Sequence, residues 1–227
     1  MIAVLIPAHN EEALIAYCLA SVMEAARHPD LHGEAVKVVV ALDRCNDSTE
    51  VIASQHGVEL VHLAEGNVGL ARAAAAARAI ELGARWLATT DADTCVPPDW
   101  LVAQLAADSD AFCGVVTVDD WEDYSPEMAN AFTGSEIVQD GHPHIHGANM
   151  GVSAEFYARC GGFQSLVVSE DVALIQALMH TQARIARLAY PVVRTSARRN
   201  ARASGGFSDY LKNMELVLGL DSVPRAA

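Results

Sequence analysis

Short apolar runs alternate along the chain with segments in which apolar residues recur every three or four positions. The runs have the length of buried strands, and the recurring spacing is typical of helices with one buried face. Strands are therefore predicted at residues 2–7, 36–42, 59–63 and 86–90, and a helix is predicted after each of them.

This alternation predicts an α/β protein with a mostly parallel central sheet and helices on both faces. In such sheets the chemistry takes place at the carboxyl ends of the strands. Asn10, Asp43, Asp91 and Asp93 all lie at these predicted ends. The polar side chains that follow the strands are therefore the first candidates for a functional site.

The second half of the chain is less regular. A loop is predicted at residues 142–147, and a helix follows Glu170. Beyond it the pattern predicts a strand near residues 185–193, an arginine-rich loop and an amphipathic helix at residues 207–218. No repeat or linker interrupts this order, so a single domain is predicted for residues 1–227.

Composition narrows the class of protein. Hydrophobic residues make up 52% of the chain and charged residues 19%, a balance that excludes a disordered protein. The formal net charge of −14 argues against a nucleic-acid partner, which would require a basic face. The five cysteines are scattered without CxxC spacing, as in a cytoplasmic protein with reduced thiols. No apolar stretch reaches the length of a signal peptide or transmembrane segment, so we expect a cytoplasmic protein.

Asp91 and Asp93 flank Ala92 at the end of the fourth predicted strand. If the strand continues through them, both carboxylates lie on one face and Ala92 points away. Two such oxygen ligands suit Mg²⁺ or Mn²⁺ shared with a diphosphate, and the ion would stabilise charge on a departing nucleoside diphosphate. The alternative is a pair of turn or capping aspartates before Pro97, but their position after an apolar strand favours the metal site.

Five further charged residues each admit two interpretations. Asp43 could accept hydrogen bonds from a base or ribose, or it could cap the next turn. Glu11 could contact a nucleoside or cap its own helix, and Arg72 could face a phosphate or be a solvated helical arginine. Asp171, next to Glu170, could take a proton from an acceptor hydroxyl. The alternative for both is that carboxylates at a helix start offset the helix dipole.

Residues 172–208 contain no acidic residue yet carry six of the 15 lysines and arginines. Arginine side chains bind phosphate and carboxylate groups well. The segment is therefore either an anion site or a solvated face that pairs with acidic surface elsewhere. The six residues are Arg184, Arg187, Arg194, Arg198, Arg199 and Arg202.

Three histidines alternate at His142, His144 and His146. In an extended segment they would share a face, as in an imidazole metal site. Pro143 and Gly147 favour instead a mobile loop, from which one histidine could contact substrate. A metal hydrolase built on these histidines is the last-ranked alternative for the function.

Several segments resemble, in the same order, those of the family 2 glycosyltransferases, which have the GT-A fold. The resemblance extends from Met1 to about Leu178 and covers most of the chain. The segments are residues 6–12, Asp43 with residues 46–49, and residues 67–72, 90–94, 146–150 and 169–171.

The resemblance implies a Rossmann-like GT-A domain with a nucleotide-binding half at residues 1–95 and an acceptor half at residues 96–227. It implies an enzyme of the hexosyltransferase class that moves one sugar from a nucleotide-diphosphate-sugar to an acceptor. The acceptor would be small or presented at a membrane, and it would be anionic if the arginines of residues 172–208 bind it. Asp91 and Asp93 would bind Mg²⁺ or Mn²⁺, with Asp93 as the direct ligand. Asp171 would be the general base of an inverting reaction.

The remaining implied roles divide between donor and acceptor. The donor-binding residues would be Pro7, Ala8, Glu11, Asp43, Arg72, Asp91 and Asp93. The acceptor-binding or anion-binding residues would be His146, Asn149, Glu170, Arg198 and Arg202.

Two features depart from the family pattern. Many GT-A enzymes use a late histidine as a metal ligand, but no histidine follows His180. Either fewer protein ligands hold the metal or an arginine takes part of that role. The QxxRW signature of processive synthases is also missing, which favours addition of one sugar.

Two other functions stay open. The first is a nucleotide-sugar-binding protein that lacks transferase activity. The second is a sugar-phosphate nucleotidyltransferase, although that class favours a glycine-rich, basic loop after the first strand. Residues 7–12 are neither glycine-rich nor basic.

Overall fold

Seven strands form one sheet in the computed structural model, which describes residues 1–199 and 205–220. The strands are β1 (Ile2–Ala8), β2 (Val36–Asp43), β3 (Glu59–Leu63), β4 (Trp86–Thr89), β5 (Ala111–Val118), β6 (Met150–Ser153) and β7 (Ile185–Thr195). Their order across the sheet is β3-β2-β1-β4-β6-β5-β7. The pairs β3–β2, β2–β1, β1–β4 and β5–β7 are parallel, whereas β6 is antiparallel to both of its neighbours.

The parallel strands β1, β2 and β4 end at the same edge of the sheet. Ala8 and Asp43 lie at the ends of β1 and β2, and Asp91 follows the end of β4 by two residues. The predicted architecture, a mostly parallel sheet with the polar strand ends at one edge, is therefore confirmed.

Eight α-helices connect and cover the strands within the described chain. They are α1 (Ile15–Ala25), α2 (Thr49–Ser54), α3 (Val68–Glu81), α4 (Trp100–Ala106), α5 (Pro126–Ser135), α6 (Ala154–Cys160), α7 (Glu170–His180) and α8 (Phe207–Val217). In the part of the chain that the structure describes, no helix combines the length and apolar character needed to span a membrane.

The apolar side chains of β1 divide between the two faces of the sheet. Ile2, Val4 and Ile6 pack into a core with residues of α1 and α4. Ala3 and Leu5 face the other way, into a core with residues of α3 and α7. Because alternate residues of a strand point to opposite faces, a strand covered on both faces must be apolar throughout.

Helix α3 lies close to the sheet because its buried face consists of small side chains. Ala71, Ala75 and Ala79 are almost fully buried in the core beneath it. The side-chain oxygen of Asn67 caps the helix by accepting the backbone N–H of Leu70 at 3.0 Å.

The first turn of α3 also packs against a loop from the second half of the chain. Gly69 donates its backbone N–H to the carbonyl oxygen of Leu166 at 3.0 Å. A Cβ at Gly69 would collide with the carbonyl oxygen of Gln164. This close approach holds Arg72, one turn later, between the two halves.

Strand β4 ends at Thr89, one residue before the predicted end, and does not continue through Asp91 and Asp93. Asp91, Ala92 and Asp93 lie in a turn, with Ala92 buried in the core. The pattern also misses β6, α5 and α6. Helix α5 buries only Met128 and Phe132 and α6 only Tyr157, so neither helix shows a clear apolar repeat, and β6 has only four residues.

Asn149 connects three elements in the interior. Its Oδ1 accepts a hydrogen bond from Trp100 Nε1 at 2.9 Å. Its Nδ2 donates to the carbonyl oxygens of Val115 and Pro191, both at 2.8 Å. Gly114 lacks a Cβ at the point where the Asn149 amide packs against it. The fully buried amide therefore joins β5, β7 and α4.

Asn149→Ala is expected to lower the free energy of unfolding by at least about 3 kcal/mol, because three buried polar groups lose their partner. Urea denaturation of the purified variant measures this change. Asn213→Ala, on the exposed side of α8, is the matched control and should leave stability nearly unchanged. Equal stability of the two variants would contradict the structural role of Asn149.

Candidate active site

A cavity of about 920 Å³ opens at the carboxyl ends of β1, β2 and β4. Residues from both halves of the chain form its wall. Those predicted from sequence that line it are Pro7, Ala8, Glu11, Asp43, Arg72, Asp91, Asp93, His146, Glu170, Asp171 and Arg198. Asn149 lies outside this wall with its amide fully engaged, which corrects its predicted acceptor role. Arg202 lies outside the described residues.

The loop after β1 is tied to the loop after β2. Asn10, in the left-handed region with φ of 54°, accepts through Oδ1 the backbone N–H of Asn46 at 2.8 Å. The backbone N–H of Glu12 donates to Asp47 Oδ2 at 3.1 Å. These bonds fix the backbone on both sides of Glu11, whose carboxylate lines the cavity.

Asp43 is buried at the end of β2 and accepts three backbone hydrogen bonds. Its Oδ1 accepts the N–H groups of Glu65 and Gly66, both at 2.9 Å. Its Oδ2 accepts the N–H of Asn67 at 2.7 Å. The carboxylate therefore fixes the loop before α3, as the capping interpretation expects, while it also lines the cavity.

Arg72 is a buried cation between two carboxylates. Its Nη2 donates to Asp91 Oδ1 at 2.5 Å, and its Nε donates to Glu170 Oε1 at 2.9 Å. Burial lowers the pKa of Arg72, but Asp91, Glu170 and Asp171 outweigh it and raise the pKa above its ordinary value. Gly147 packs directly against the guanidinium, where a Cβ would collide. Arg72 is thus not a solvated arginine: its Nε and Nη2 pair with carboxylates, while its buried Nη1 has no hydrogen-bond partner among the described residues.

Glu170 is also engaged inside the protein. Its side chain is only 7% exposed and is held by the Arg72 guanidinium. Burial raises the pKa of Glu170, and Arg72 opposes that rise. The carboxylate balances a buried cation and also lines the cavity, so its role in acceptor binding stays a prediction.

Arg198 lies on two carboxylates of the first half of the chain. It donates two hydrogen bonds of 2.5 Å to Glu11, and its Nη2 lies 3.0 Å from Asp93 Oδ2. Burial raises the pKa of Asp93 to about 6, although Arg198 acts to lower it. Arg198 was predicted to bind an acceptor or another anion, and in the structure its guanidinium pairs with protein carboxylates.

The described arginines of residues 172–208 do not form a shared anion site. Each is paired separately, because the acidic surface offers a carboxylate or carbonyl near every one of them. The further pairs are Arg184 with Asp110, Arg194 with Asp119, Arg199 with Glu215, and Arg187 with three backbone carbonyls. The alternative of pairing with acids elsewhere therefore describes four of the five arginines of this segment that the structure describes.

The cavity wall carries an excess of negative charge. Among the described residues of the wall, seven carboxylates face three guanidinium groups, those of Arg44, Arg72 and Arg198. The carboxylates are those of Glu11, Asp43, Asp91, Asp93, Glu136, Glu170 and Asp171. An anionic ligand would be repelled unless a cation entered with it. Asp91 and Asp93 supply the hard oxygen ligands that Mg²⁺ and Mn²⁺ prefer, so the residues present fit a divalent cation.

Asp171 begins the first turn of α7 and points its carboxylate at the cavity. Its Oδ2 accepts the backbone N–H of Gly147 at 2.8 Å, and its Oδ1 accepts that of Val172 at 2.7 Å. Ser169, in the left-handed region with φ of 61°, turns the chain into the helix at this point. The carboxylate is held by backbone groups and retains lone pairs for a substrate proton.

The alternating histidines form a stacked row. The rings of His142 and His144 and those of His144 and His146 have centroids 5.6 Å apart. His144 and His146 line the cavity together with Glu136. Burial lowers the pKa of His146 to about 4. Glu136 was not predicted from sequence because it follows α5, a helix that the pattern misses.

Comparisons with known proteins relate the chain to enzymes that transfer sugars. The family model described as "Glycosyl transferase family 2" matches residues 3–160. No curated protein matches the sequence.

Solved structures share the fold at low sequence identity. S. aureus TarS 1–349 in complex with UDP-GlcNAc has a TM-score of 0.66 and 16% identity, over 96% of this chain and 65% of that chain. Its complex with UDP has a TM-score of 0.65 and 16% identity, over 87% and 61%. Glucosyl-3-phosphoglycerate synthase from Mycobacterium tuberculosis, in complex with Mn²⁺, UDP and phosphoglyceric acid, has a TM-score of 0.60 and 19% identity, over 100% and 80%. The chain thus spans less than two thirds of the TarS 1–349 chain in each of these two complexes.

Arg72→Ala is expected to lower the free energy of unfolding by about 3–5 kcal/mol, because the buried Glu170 carboxylate loses its cation. Thermal or urea denaturation measures the change. The control is Arg78→Ala on the same helix, whose half-exposed side chain pairs with Glu59 and Glu81. That variant should unfold close to the wild type, and a similar loss in both would contradict the special role of Arg72.

Proposed function

The chain belongs to glycosyl transferase family 2 and has the GT-A fold, and from this premise we propose that it transfers one sugar from a nucleotide-diphosphate-sugar to an acceptor hydroxyl. One observation carries the proposal. The carboxylate pair Asp91 and Asp93 and the carboxylate of Asp171 line the same cavity at the ends of the parallel strands. A donor, a cation and an acceptor could therefore meet within one site.

The donor side of the cavity suits a nucleoside. Pro7 and Ala8 provide apolar wall at the end of β1, and the loop held by Asp43 closes the neighbouring side. His9 Nδ1 lies 2.6 Å from the backbone oxygen of Asp43, which joins these two strand ends. Two of the similar structures contain UDP and one contains UDP-GlcNAc, so a uridine nucleotide is the first donor to test.

Asp91 and Asp93 would hold Mg²⁺ or Mn²⁺, and Mn²⁺ accompanies UDP in the similar synthase structure. When bound, the ion supplies positive charge that stabilises the departing diphosphate. Arg198 contacts Asp93 and would share in balancing charge at this position. This fits the absence of a histidine after His180 in the sequence.

Asp171 would act as the general base. The acceptor oxygen attacks the anomeric carbon, the bond from that carbon to the diphosphate oxygen breaks, and Asp171 takes the hydroxyl proton. The hydrogen bond from Gly147 orients the carboxylate before substrate arrives. Attack opposite the leaving group in one displacement inverts the anomeric configuration.

The acceptor is proposed to be a small molecule, with its hydroxyl near Asp171 and His146. Because the described arginines of residues 172–208 are paired within the protein, they lend no support to an anionic acceptor. Phosphoglyceric acid occurs with the similar synthase, so it belongs in the acceptor panel as a direct test of this point.

UDP with Mn²⁺ is expected to raise the melting temperature by about 5–10 °C at 100 times its Kd, since such binding adds about 2.7 kcal/mol. Differential scanning fluorimetry measures the shift with UDP, Mn²⁺ and the two together, beside the other nucleoside diphosphates. Asp93→Asn should lose the metal-dependent part, whereas Asp30→Asn, an exposed control, should keep it. Absence of a shift with every nucleotide would refute the donor site.

Asp171→Asn is expected to lower kcat by about 10²–10⁴-fold, because the amide cannot accept the hydroxyl proton. Release of the nucleoside diphosphate from a panel of sugar donors and acceptors measures the rate. The donor-induced melting shift should survive in this variant, which separates loss of chemistry from misfolding. Donor binding in the wild type with no turnover on any acceptor would favour the binding-protein alternative.

A further inference from the structure

Glu136, His144 and His146 place three metal-ligating side chains together on the cavity wall, separate from Asp91 and Asp93. Their ligand atoms all lie within 4.8 Å of one another. Glu136 Oε2 is 3.8 Å from His144 Nε2 and 4.0 Å from His146 Nε2. We propose that these three residues bind a divalent transition-metal ion such as Zn²⁺.

The donor set distinguishes this site from the aspartate pair. Imidazole nitrogen suits zinc and its neighbours in the periodic table, whereas Mg²⁺ prefers oxygen ligands. Two histidines with one glutamate is a ligand set that protein zinc sites use. Ligands about 2.0–2.1 Å from a tetrahedral ion lie roughly 3.4 Å apart, so the two separations between Glu136 and the histidines need to close by about 0.5 Å.

Two of the proposed ligand atoms make no hydrogen bond in the described structure. Within residues 1–199 and 205–220, the buried atoms Glu136 Oε2 and His146 Nε2 have no hydrogen-bond partner. Buried polar atoms of this kind are rare and carry a desolvation cost. A cation between them would satisfy both.

The backbone that carries the histidines is held in place. Arg187 Nη1 donates to the carbonyl oxygens of His142, Pro143 and His144, at 3.5, 3.2 and 3.2 Å. The carbonyl oxygen of His146 accepts the N–H of Asn149 at 2.9 Å. The segment is therefore pinned at both ends of the ligand pair, in contrast to the mobile loop expected from its proline and glycine.

One hydrogen bond competes with the metal. The backbone N–H of Ile137 donates to His144 Nε2 at 3.0 Å. Coordination through this nitrogen would displace that bond, whereas His146 and Glu136 would give up none at the two buried atoms. His146 and Glu136 are therefore the residues whose replacement tests the site most directly.

The test is a titration of the metal-stripped full chain with Co²⁺ alone, followed by Zn²⁺ competition, without nucleotide. We expect one Co²⁺ per chain with the visible absorption of a tetrahedral nitrogen–oxygen site, displaced by one equivalent of Zn²⁺. His146→Ala and Glu136→Gln should each weaken Zn²⁺ binding by at least about 100-fold, the upper range for loss of an outer-shell partner. Circular dichroism checks that the variants fold.

Two further variants make the assignment specific. His62→Ala removes an exposed histidine that pairs with Glu50 and should bind Zn²⁺ like the wild type. Asp93→Asn should lose the Mn²⁺-dependent UDP shift but keep Zn²⁺ binding, so failure of one site is distinguishable from failure of the other. The proposal is overturned if the wild type shows no saturable Co²⁺ spectrum, or if His146→Ala binds Zn²⁺ with unchanged affinity.

Discussion

The buried guanidinium of Arg72 joins the two halves of the molecule. It comes from a helix that packs on the first parallel strands, and its partners Asp91 and Glu170 follow β4 and begin α7. An unpaired charge at this depth would be strongly destabilising, so both carboxylates must be present once the arginine is. The position of α7, and with it the position of Asp171, therefore depends on the same ion pairs that fix Asp91.

The arginines at the site offset enough of the negative charge for the protein to fold, but the site keeps a net negative charge. Arg198 and Arg72 make the cluster tolerable, yet the carboxylates still outnumber them. Burial raises the pKa of Asp93 to about 6 even beside Arg198, which means that its carboxylate is poorly solvated in the folded protein. A site with this imbalance is adapted to receive a cation with its anionic ligand, at some cost in stability without them.

Much of the fold can be predicted from the local pattern of apolar and polar residues, whereas many contacts within the site cannot. The apolar runs and caps predict β1 to β4 and the helices after them, and Asp91 with Asp93 stand out because they follow a buried strand. The partners of Arg72 and Arg198 are not readable in this way, because Glu170 and Glu11 lie 98 and 187 residues away along the chain. The acid-free composition of residues 172–208 therefore suggested an anion site at Arg198, whereas the partners that Arg198 has in the structure depend on how the chain folds around the cavity.

Gly147 contacts three of the groups that shape the site: Asp171, Thr89 and Arg72. Its N–H orients Asp171, its carbonyl oxygen accepts the hydroxyl of Thr89 at 2.6 Å, and its missing side chain leaves room for the Arg72 guanidinium. It also directly follows His146. A shift of this residue would therefore disturb Asp171, the end of β4 and the histidine row together. The position of Gly147 thus links Asp171, the proposed general base, to the ion pairs that Arg72 makes with Asp91 and Glu170.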